Sequence, residues 1–301
     1  MADPVPSGGG RGPVSGAIYD LGYRPYDGPR NGLGAIAWAL FVEGFRNAFG
    51  LGRSGRSKVL PFLLLGINLL PVVIIVGVLV FIHLDELPLG YAAYASRTQV
   101  LLSIFVAAQA PVLFSRDLRH GTIALYLARP LPSTAYAVAR WASLLAATLV
   151  FLLTPILALY LGAVLGELDF GEQTAAALKA ALLAVLLATG LTGISGLIAS
   201  VSVRRGFAVV ATIAVLLLGN GVVTAVQGIS EEQSRPRIGE VAGLFSPYSL
   251  YRGAMGALTD ERVLTPPTGG GLQAAYFGVM VALALVSLGA LLVRYRRLAG
   301  R

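Results

Sequence analysis

The chain has 301 residues, 56% of them hydrophobic and only 13% charged, with a mean hydropathy of +0.75, whereas soluble domains average roughly 25% charged residues. A water-facing domain cannot bury that much apolar surface, and the absence of cysteine removes disulfides and thiolate metal sites. The formal net charge of +8 is dispersed through segments that flank apolar stretches, a distribution unlike a nucleic-acid footprint.

Residues 1–32 are rich in Gly, Pro and Arg and read as an extended tail. The runs Tyr19-Asp20-Leu21-Gly22-Tyr23 and Tyr26-Asp27-Gly28-Pro29-Arg30 are too aromatic for a plain linker, and suit either a tail laid on its own protein or a contact with a soluble partner. The first 58 residues contain no apolar core or small-residue cleavage site of a secretory signal, so the first span is expected to direct insertion.

Residues 33–58 come next. From Leu33 to Phe49, Ile36, Leu40, Phe41, Phe45 and Phe49 recur at helical spacing, with Glu43, Arg46 and Asn47 opposite. This predicts an amphipathic helix. It is too short to span and is followed by Arg53, Arg56 and Lys58, so it is expected to lie along the inner leaflet, with Ile36, Leu40, Phe41 and Phe45 toward lipid and the cations near phosphates. A buried packing helix is the other reading of the same pattern.

Residues 59–301 form a six-span domain. About 20 apolar residues cross a hydrocarbon core of about 30 Å, and six stretches qualify: Val59–Ile82, Thr98–Phe114, Trp141–Gly166, Ala180–Val203, Phe207–Gln227 and Leu272–Val293. None contains Asp, Glu, Lys, Arg or His. With the N-terminus placed inside, 17 of the 23 Lys and Arg fall in inside segments and ten of the 15 acidic residues outside. This positive-inside pattern predicts an all-α, multi-pass protein of the cell membrane with both termini cytoplasmic.

Two connections are longer than turns require. The inside segment 115–140 begins Ser115-Arg116-Asp117, passes Gly121 and Thr122, has one helical turn around Leu125 and Leu127, and breaks at Arg129-Pro130-Leu131-Pro132. A turn between helices needs only a handful of residues, so this one suggests a projecting docking element. The outside segment 228–271 includes a helical stretch, Tyr248 to Leu258, and reads as a lid, a re-entrant element or a solvated loop.

Several chemistries are missing. No Gly-rich run ends in Lys-Ser or Lys-Thr, and Lys58 and Lys179 are the only lysines, so the chain has no phosphate-cradling loop for ATP. The spans lack the ionisable groups that ion-coupled transporters use, and a path so poor in charge suits an apolar or amphipathic cargo. Gly193-Ile194-Ser195-Gly196 looks like the Gly-x-Ser-Gly of intramembrane serine proteases, but neither histidine, His83 or His120, lies within a span to serve as base. Close helix approach at Gly190, Gly193 and Gly196, and at Gly162 and Gly166, is the expected use of these residues. Among the few polar groups of the spans, Asn68, Gln109 and Asn220 are candidates for a substrate path, with hydrogen bonds between helices as the default role.

This layout resembles the membrane subunit of an ABC-2-type ABC exporter. The features that carry the resemblance are the amphipathic helix before the first span, the Arg116-Asp117 to Pro130 segment, which is similar to that family's coupling helix, and the long external segment before the last span. The family often has Glu where this chain has Asp117, and the Tyr-Asp tail motifs look like those of bacterial, especially actinobacterial, permeases. The resemblance implies a homodimer or pseudo-dimer of permeases with two ABC ATPase subunits, which hold ATP and Mg while this chain binds neither. It also implies that Arg116, Asp117, Arg119, Gly121, Arg129 and Pro130 touch the ATPase, with Arg204 and Arg205 as a second contact. A membrane anchor or assembly protein, and a channel without ion coupling, remain as alternatives.

Overall fold

The computed structural model describes Gly28, residues 32–121, Tyr126, and residues 131–259 and 267–299. Among these the chain is helical, without strands, in the order α1 (Leu33–Ala48), α2 (Gly55–Ile82), α3 (Tyr91–Arg97), α4 (Gln99–Leu113), α5 (Ser115–Arg119), α6 (Ser133–Leu165), α7 (Phe170–Val201), α8 (Arg205–Ile213), α9 (Gly219–Glu232), α10 (Pro236–Ala242), α11 (Pro247–Leu258) and α12 (Gly270–Ala299). Helices α8 and α9 run together through a π-helical turn, Ala214–Leu218. Six helical stretches are long and apolar enough to cross a membrane: α2, α4 with α5, α6, α7, α8 with α9, and α12. The protein is a multi-pass transmembrane protein.

Local chemistry sets the helix ends. At the start of α7, Asp169 accepts a hydrogen bond from the Glu172 amide at 2.7 Å, satisfying one of the free N–H groups of the first turn. Helix α11 opens with Ser246 accepting from the Ser249 amide and Pro247 in the first position, where its missing N–H costs nothing. The turn between α1 and α2 needs Gly50, whose φ is +68° and whose missing side chain leaves room for the Ser57 carbonyl.

The spans divide into inner and outer helices. In its most apolar window α4 with α5 is 72% buried inside the bundle, against 22% for α2 and for α8 with α9. Helix α2 accordingly exposes Leu63, Ile67, Leu70, Ile74 and Phe81 to the surroundings, which only a hydrocarbon solvent tolerates at no cost. Helices α6 and α7 pack along each other and against α4 and α12, and their contact surface forms most of the core, including Phe105, Phe151, Leu159, Leu183 and Leu187.

Small residues bring these helices close. A side chain at Gly193 would collide with Ser287 of α12, one at Gly162 with Val76 of α2, and one at Gly196 would press on the Phe114 ring. The expected close approach thus holds at Gly193, Gly196, Gly162 and, against Leu79 at 3.2 Å, Gly166; Gly190 has only ordinary contact, its nearest neighbour being Leu283 at 3.6 Å.

Several boundaries differ from those expected. Each span extends past the uncharged stretch at one end or both, because backbone hydrogen bonding continues through the flanking polar residues; α6 begins at Ser133, eight residues before Trp141. The segment 115–140 is therefore shorter as a connection, since Ser115–Arg119 continues the second span and Ser133 to Arg140 belongs to the third. Helix α3, seven residues just ahead of the second span, was not anticipated. Segment 228–271 is not a solvated loop where described: α10 and α11 fold onto the bundle, with Tyr248, Leu250, Tyr251 and Ala254 buried.

Candidate functional site

The most concentrated polar chemistry lies where α1, α5 and α6 meet. Arg140 stands two turns into α6, at about 1.5 Å rise per residue some 10 Å from its start, and its side chain is 1% exposed. A guanidinium so enclosed has to be paired. It donates through Nη1 to Glu43 of α1 at 2.6 Å and through Nη2 to Asp117 of α5 at 2.8 Å. The Tyr136 hydroxyl, one helical turn earlier on α6, donates to the same Asp117 oxygen at 2.5 Å, and the Tyr136 ring lies 5.5 Å from the Arg140 guanidinium. Arg116 adds a longer pair with Glu43 at 3.3 Å.

Two carboxylates and two guanidiniums therefore balance, and the balance is structural. At an effective dielectric near 20, a close pair is worth about 4 kcal/mol before desolvation is subtracted; separating Arg140 from Asp117 would leave buried charge uncompensated, whereas Glu43 and Arg116 keep partial access to solvent. The tight approach of α1 to α6 depends on Gly44, where a side chain would strike Ser143, and is held by Ser143 donating to the Phe41 carbonyl at 2.9 Å. Leu40, Leu113, Phe114, Tyr136, Leu144 and Tyr295 form one buried apolar cluster in this part of the bundle, and the Arg140–Asp117 pair is closed to water while Glu43 is partly open to it. Helices α1, α5 and the first turns of α6 are thereby braced into one unit.

The residues singled out from sequence separate into distinct environments. Asp117 faces inward and is 5% exposed, so in this arrangement it is a brace within the chain instead of part of an outer contact surface. Arg116 is partly exposed, and Arg119, Gly121, Arg204 and Arg205 are exposed at the same end of the bundle. Arg129 and Pro130, with Leu125 and Leu127, lie outside the described residues. On α1 the expected orientation is partly reversed. Glu43 turns toward Arg140, Asn47 and Leu40 are buried against the bundle, and Trp38 is 65% exposed, with Phe41 and Phe45 half-buried and stacked in sequence beside it. Leu40 therefore packs within the protein, while Ile36, Phe41 and Phe45 retain partial exposure, and Arg53, Arg56 and Lys58 are exposed.

Two of the candidate path residues, Asn68 and Asn220, bond other helices or the segments beside them. Asn68 is 1% exposed and donates to the Phe151 carbonyl of α6 at 3.1 Å, and its own backbone carbonyl accepts from Tyr94. Asn220 donates to Gln99 at 3.3 Å and accepts from Ser246 at 2.9 Å. Gln109 is 4% exposed inside α4. Ser195 donates to the Leu191 carbonyl of its own helix at 2.7 Å, the usual use of a serine within a span.

A second polar cluster closes the opposite end. Tyr248 bonds Ser103 at 2.5 Å and donates to the Gln99 carbonyl at 3.1 Å, Tyr251 donates to the Ala92 carbonyl at 2.8 Å, and Tyr276 donates to the Glu240 carbonyl at 2.6 Å. Burial pushes the Tyr248 hydroxyl well above its ordinary pKa, with the Ser103 bond acting weakly the other way, so it stays a neutral donor. Arg252 of α11 donates to Thr224 at 3.1 Å, and burial lowers its pKa. Sequence reasoning missed Arg140 and Glu43. Their signal was present: Arg140 abuts an uncharged stretch that helical periodicity continues back through, and Glu43 is the sole acid of the amphipathic helix.

No protein-family model matches this sequence, and no curated protein matches it.

Proposed function

We propose that the chain is the permease subunit of an ATP-driven exporter, moving an apolar or amphipathic substrate with energy from a separate ATPase subunit. In this reading the end of the bundle carrying Arg53, Arg116, Arg119, Arg204 and Arg205 faces the cytoplasm, as the charge asymmetry along the sequence requires. The observation that carries the proposal is the bracing of α1, α5 and α6 by Glu43, Asp117 and Arg140. An external push on α5 or the connection after it is handed to α1 and to a span that runs through the core, because breaking the ion pairs would strand buried charge. Such a rigid linkage is what a subunit without its own ATP site needs in order to convert a partner's motion into helix movement. The lack of ionisable groups in the middle of the spans supports cargo without a fixed charge and energy from outside the chain.

In the proposed division of labour, the exposed Arg119, Gly121, Arg204 and Arg205, the outer side of Arg116, and Arg129 with Pro130 meet the ATPase, and Asp117 holds α5 in place behind them. A second permease copy completes the pathway. The test is to purify the tagged chain from its native membrane in mild detergent, identify co-purifying subunits by mass spectrometry and assay ATP hydrolysis. A stoichiometric subunit carrying a phosphate-binding loop is expected, and its retention should fall in the R119E/R204E double variant while membrane insertion is unchanged. Recovery of the chain alone across several gentle detergents would reject the permease reading in favour of an anchor or channel.

A further inference from the structure

Arg53 from the turn before α2, Arg116 and Arg119 of α5, and Arg205 at the start of α8 border one cleft of about 170 Å³, with His120 at its edge and Pro111 of α4 in its floor. Glu43 pairs with Arg116 and with Arg140, and Asp117 with Arg140. Among the described residues, no carboxylate lies within 4.0 Å of Arg53, Arg119 or Arg205. The cleft thus concentrates like charge contributed by three separated parts of the chain. Partial burial, and then the charges of Arg116 and Arg205, lower the pKa of Arg53, with Glu43 acting the other way. An anion entering the cleft would offset that like charge.

The surroundings select the kind of anion. Guanidiniums bind phosphate oxygens bidentately, and three arginines lining one cleft, Arg53, Arg119 and Arg205, fit a phosphate better than a single carboxylate. Val203, which lines the cleft in the connection before α8, and Phe207 and Val210 on α8 are apolar and 55%, 69% and 67% exposed. A free phosphate has no use for these side chains, whereas an acyl chain does. We propose that this cleft binds the headgroup phosphate of an anionic membrane lipid whose acyl chain lies along Val203, Phe207 and Val210. The lipid would tie α2, α5 and α8 together and set the resting position of α5. Arg116, Arg119 and Arg205 also belong to the surface proposed above to meet the ATPase, so the lipid is proposed for the cleft of the chain free of that subunit, where its binding is read apart from the permease reading.

The experiment uses the full chain in a neutral detergent, titrated with short-chain phosphatidylglycerol, phosphatidylcholine or inorganic phosphate and read by native mass spectrometry. Phosphatidylglycerol is expected to bind in preference to phosphatidylcholine, with inorganic phosphate at millimolar concentration failing to displace it. The R119Q/R205Q variant, altered at exposed positions that the fold does not need, should bind phosphatidylglycerol roughly twentyfold more weakly. The R296Q/R297Q variant removes as much charge from the end of α12 and should bind as the wild type does. Unchanged binding by R119Q/R205Q, equal loss in R296Q/R297Q, or displacement by inorganic phosphate would each overturn the proposal. Loss of a co-purifying ATPase with lipid binding intact would assign the cleft to a protein and overturn it as well.

Discussion

At the arginine-rich end α1, α5 and α6 meet through full charges, Glu43 and Asp117 on Arg140. At the other end α4, α9, α11 and α12 meet mainly through neutral groups: Tyr248 on Ser103, Asn220 on Ser246, Gln227 on Ser249, Tyr276 on a backbone carbonyl; the charged groups there, Arg252 and Glu240, bond neutral Thr224 and Thr268. The two kinds of fastening fail differently. A neutral bond between helices contributes about 1 kcal/mol or less, and its loss leaves the neighbours intact. A buried charge that loses its partner costs several times more, so the charged cluster holds or yields as a whole. The difference places the stiff joint at the end proposed to receive force, and leaves the opposite end free to rearrange bond by bond.

The largest effect that could break this contrast comes from Arg140. Replacing it with Ala removes the nearest counter-charge of the buried Asp117, while the half-exposed Glu43 keeps Arg116, and is expected to destabilise by about 3 kcal/mol, seen as a lowered midpoint of thermal unfolding in detergent. Arg140→Met with Asp117→Asn removes the buried pair, leaves Glu43 paired with Arg116, and should recover much of the loss. If Arg140→Ala alone unfolds like the wild type, the cluster is not the brace described above.

Between the two ends Asn68 on the Phe151 carbonyl is a polar bond between spans, and the approach of α7 to α12 tests packing. Gly193→Leu forces a side chain into Ser287, and overpacking of this kind costs about 1–3 kcal/mol. Gly190→Ala, one turn earlier on the same helix, should cost nothing measurable, because its nearest neighbour sits 3.6 Å away. Equal penalties at the two positions would contradict the close approach of α7 to α12.

How far this contrast was legible in the sequence follows from what each feature depends on. The six spans were legible because apolar length is a local property, and α1 and α11 because their periodicity is too; Leu33–Ala48 and Pro247–Leu258 fall within a residue of their expected bounds. The side of α1 that packs inward was not. Periodicity groups Glu43 and Asn47 on one side, but whether that side meets water or a buried arginine depends on Arg140, 97 residues away. Asp117 illustrates the same limit. The family resemblance implied an outer contact for it, and only the tertiary approach of α5 to α6 turns it inward. Gly193 lies between these cases, since a small residue in a span announces close approach without naming Ser287 as the neighbour.

The neutral end has its own pH signature. Tyr91 of α3 donates to Gln173 at 2.7 Å, and burial, then the nearby Tyr160, raises its pKa to about 12 from an ordinary value of 10.0. A raised value means that the folded state holds the proton more tightly than the unfolded one. The contribution is therefore complete below pH 10 and lost as pH climbs through 12. Tyrosinate absorbance of the folded protein should show this delayed ionisation, and Tyr91→Phe should flatten the loss of stability over the same alkaline range. An unchanged alkaline limb in Tyr91→Phe would rule this tyrosine out.

The smallest expected effect is also the sharpest test of piecemeal behaviour. Tyr248→Phe removes the bonds to Ser103 and to the Gln99 carbonyl while keeping the ring in its buried site. Because both partners are neutral, and Ser103 can turn its hydroxyl to a carbonyl of its own helix, the cost should be about 1 kcal/mol or less in equilibrium unfolding from mixed micelles. Combining it with Gln227→Leu, which acts through Ser249 and the Gly239 carbonyl, should give a sum of the two single effects within about 0.5 kcal/mol, because the two sets of partners are not shared. A penalty for Tyr248→Phe that rivals Arg140→Ala, or strong coupling between the two substitutions, would mean that the neutral end is as cooperative as the charged one, and the stiff joint would then lose its special place at the arginine-rich end.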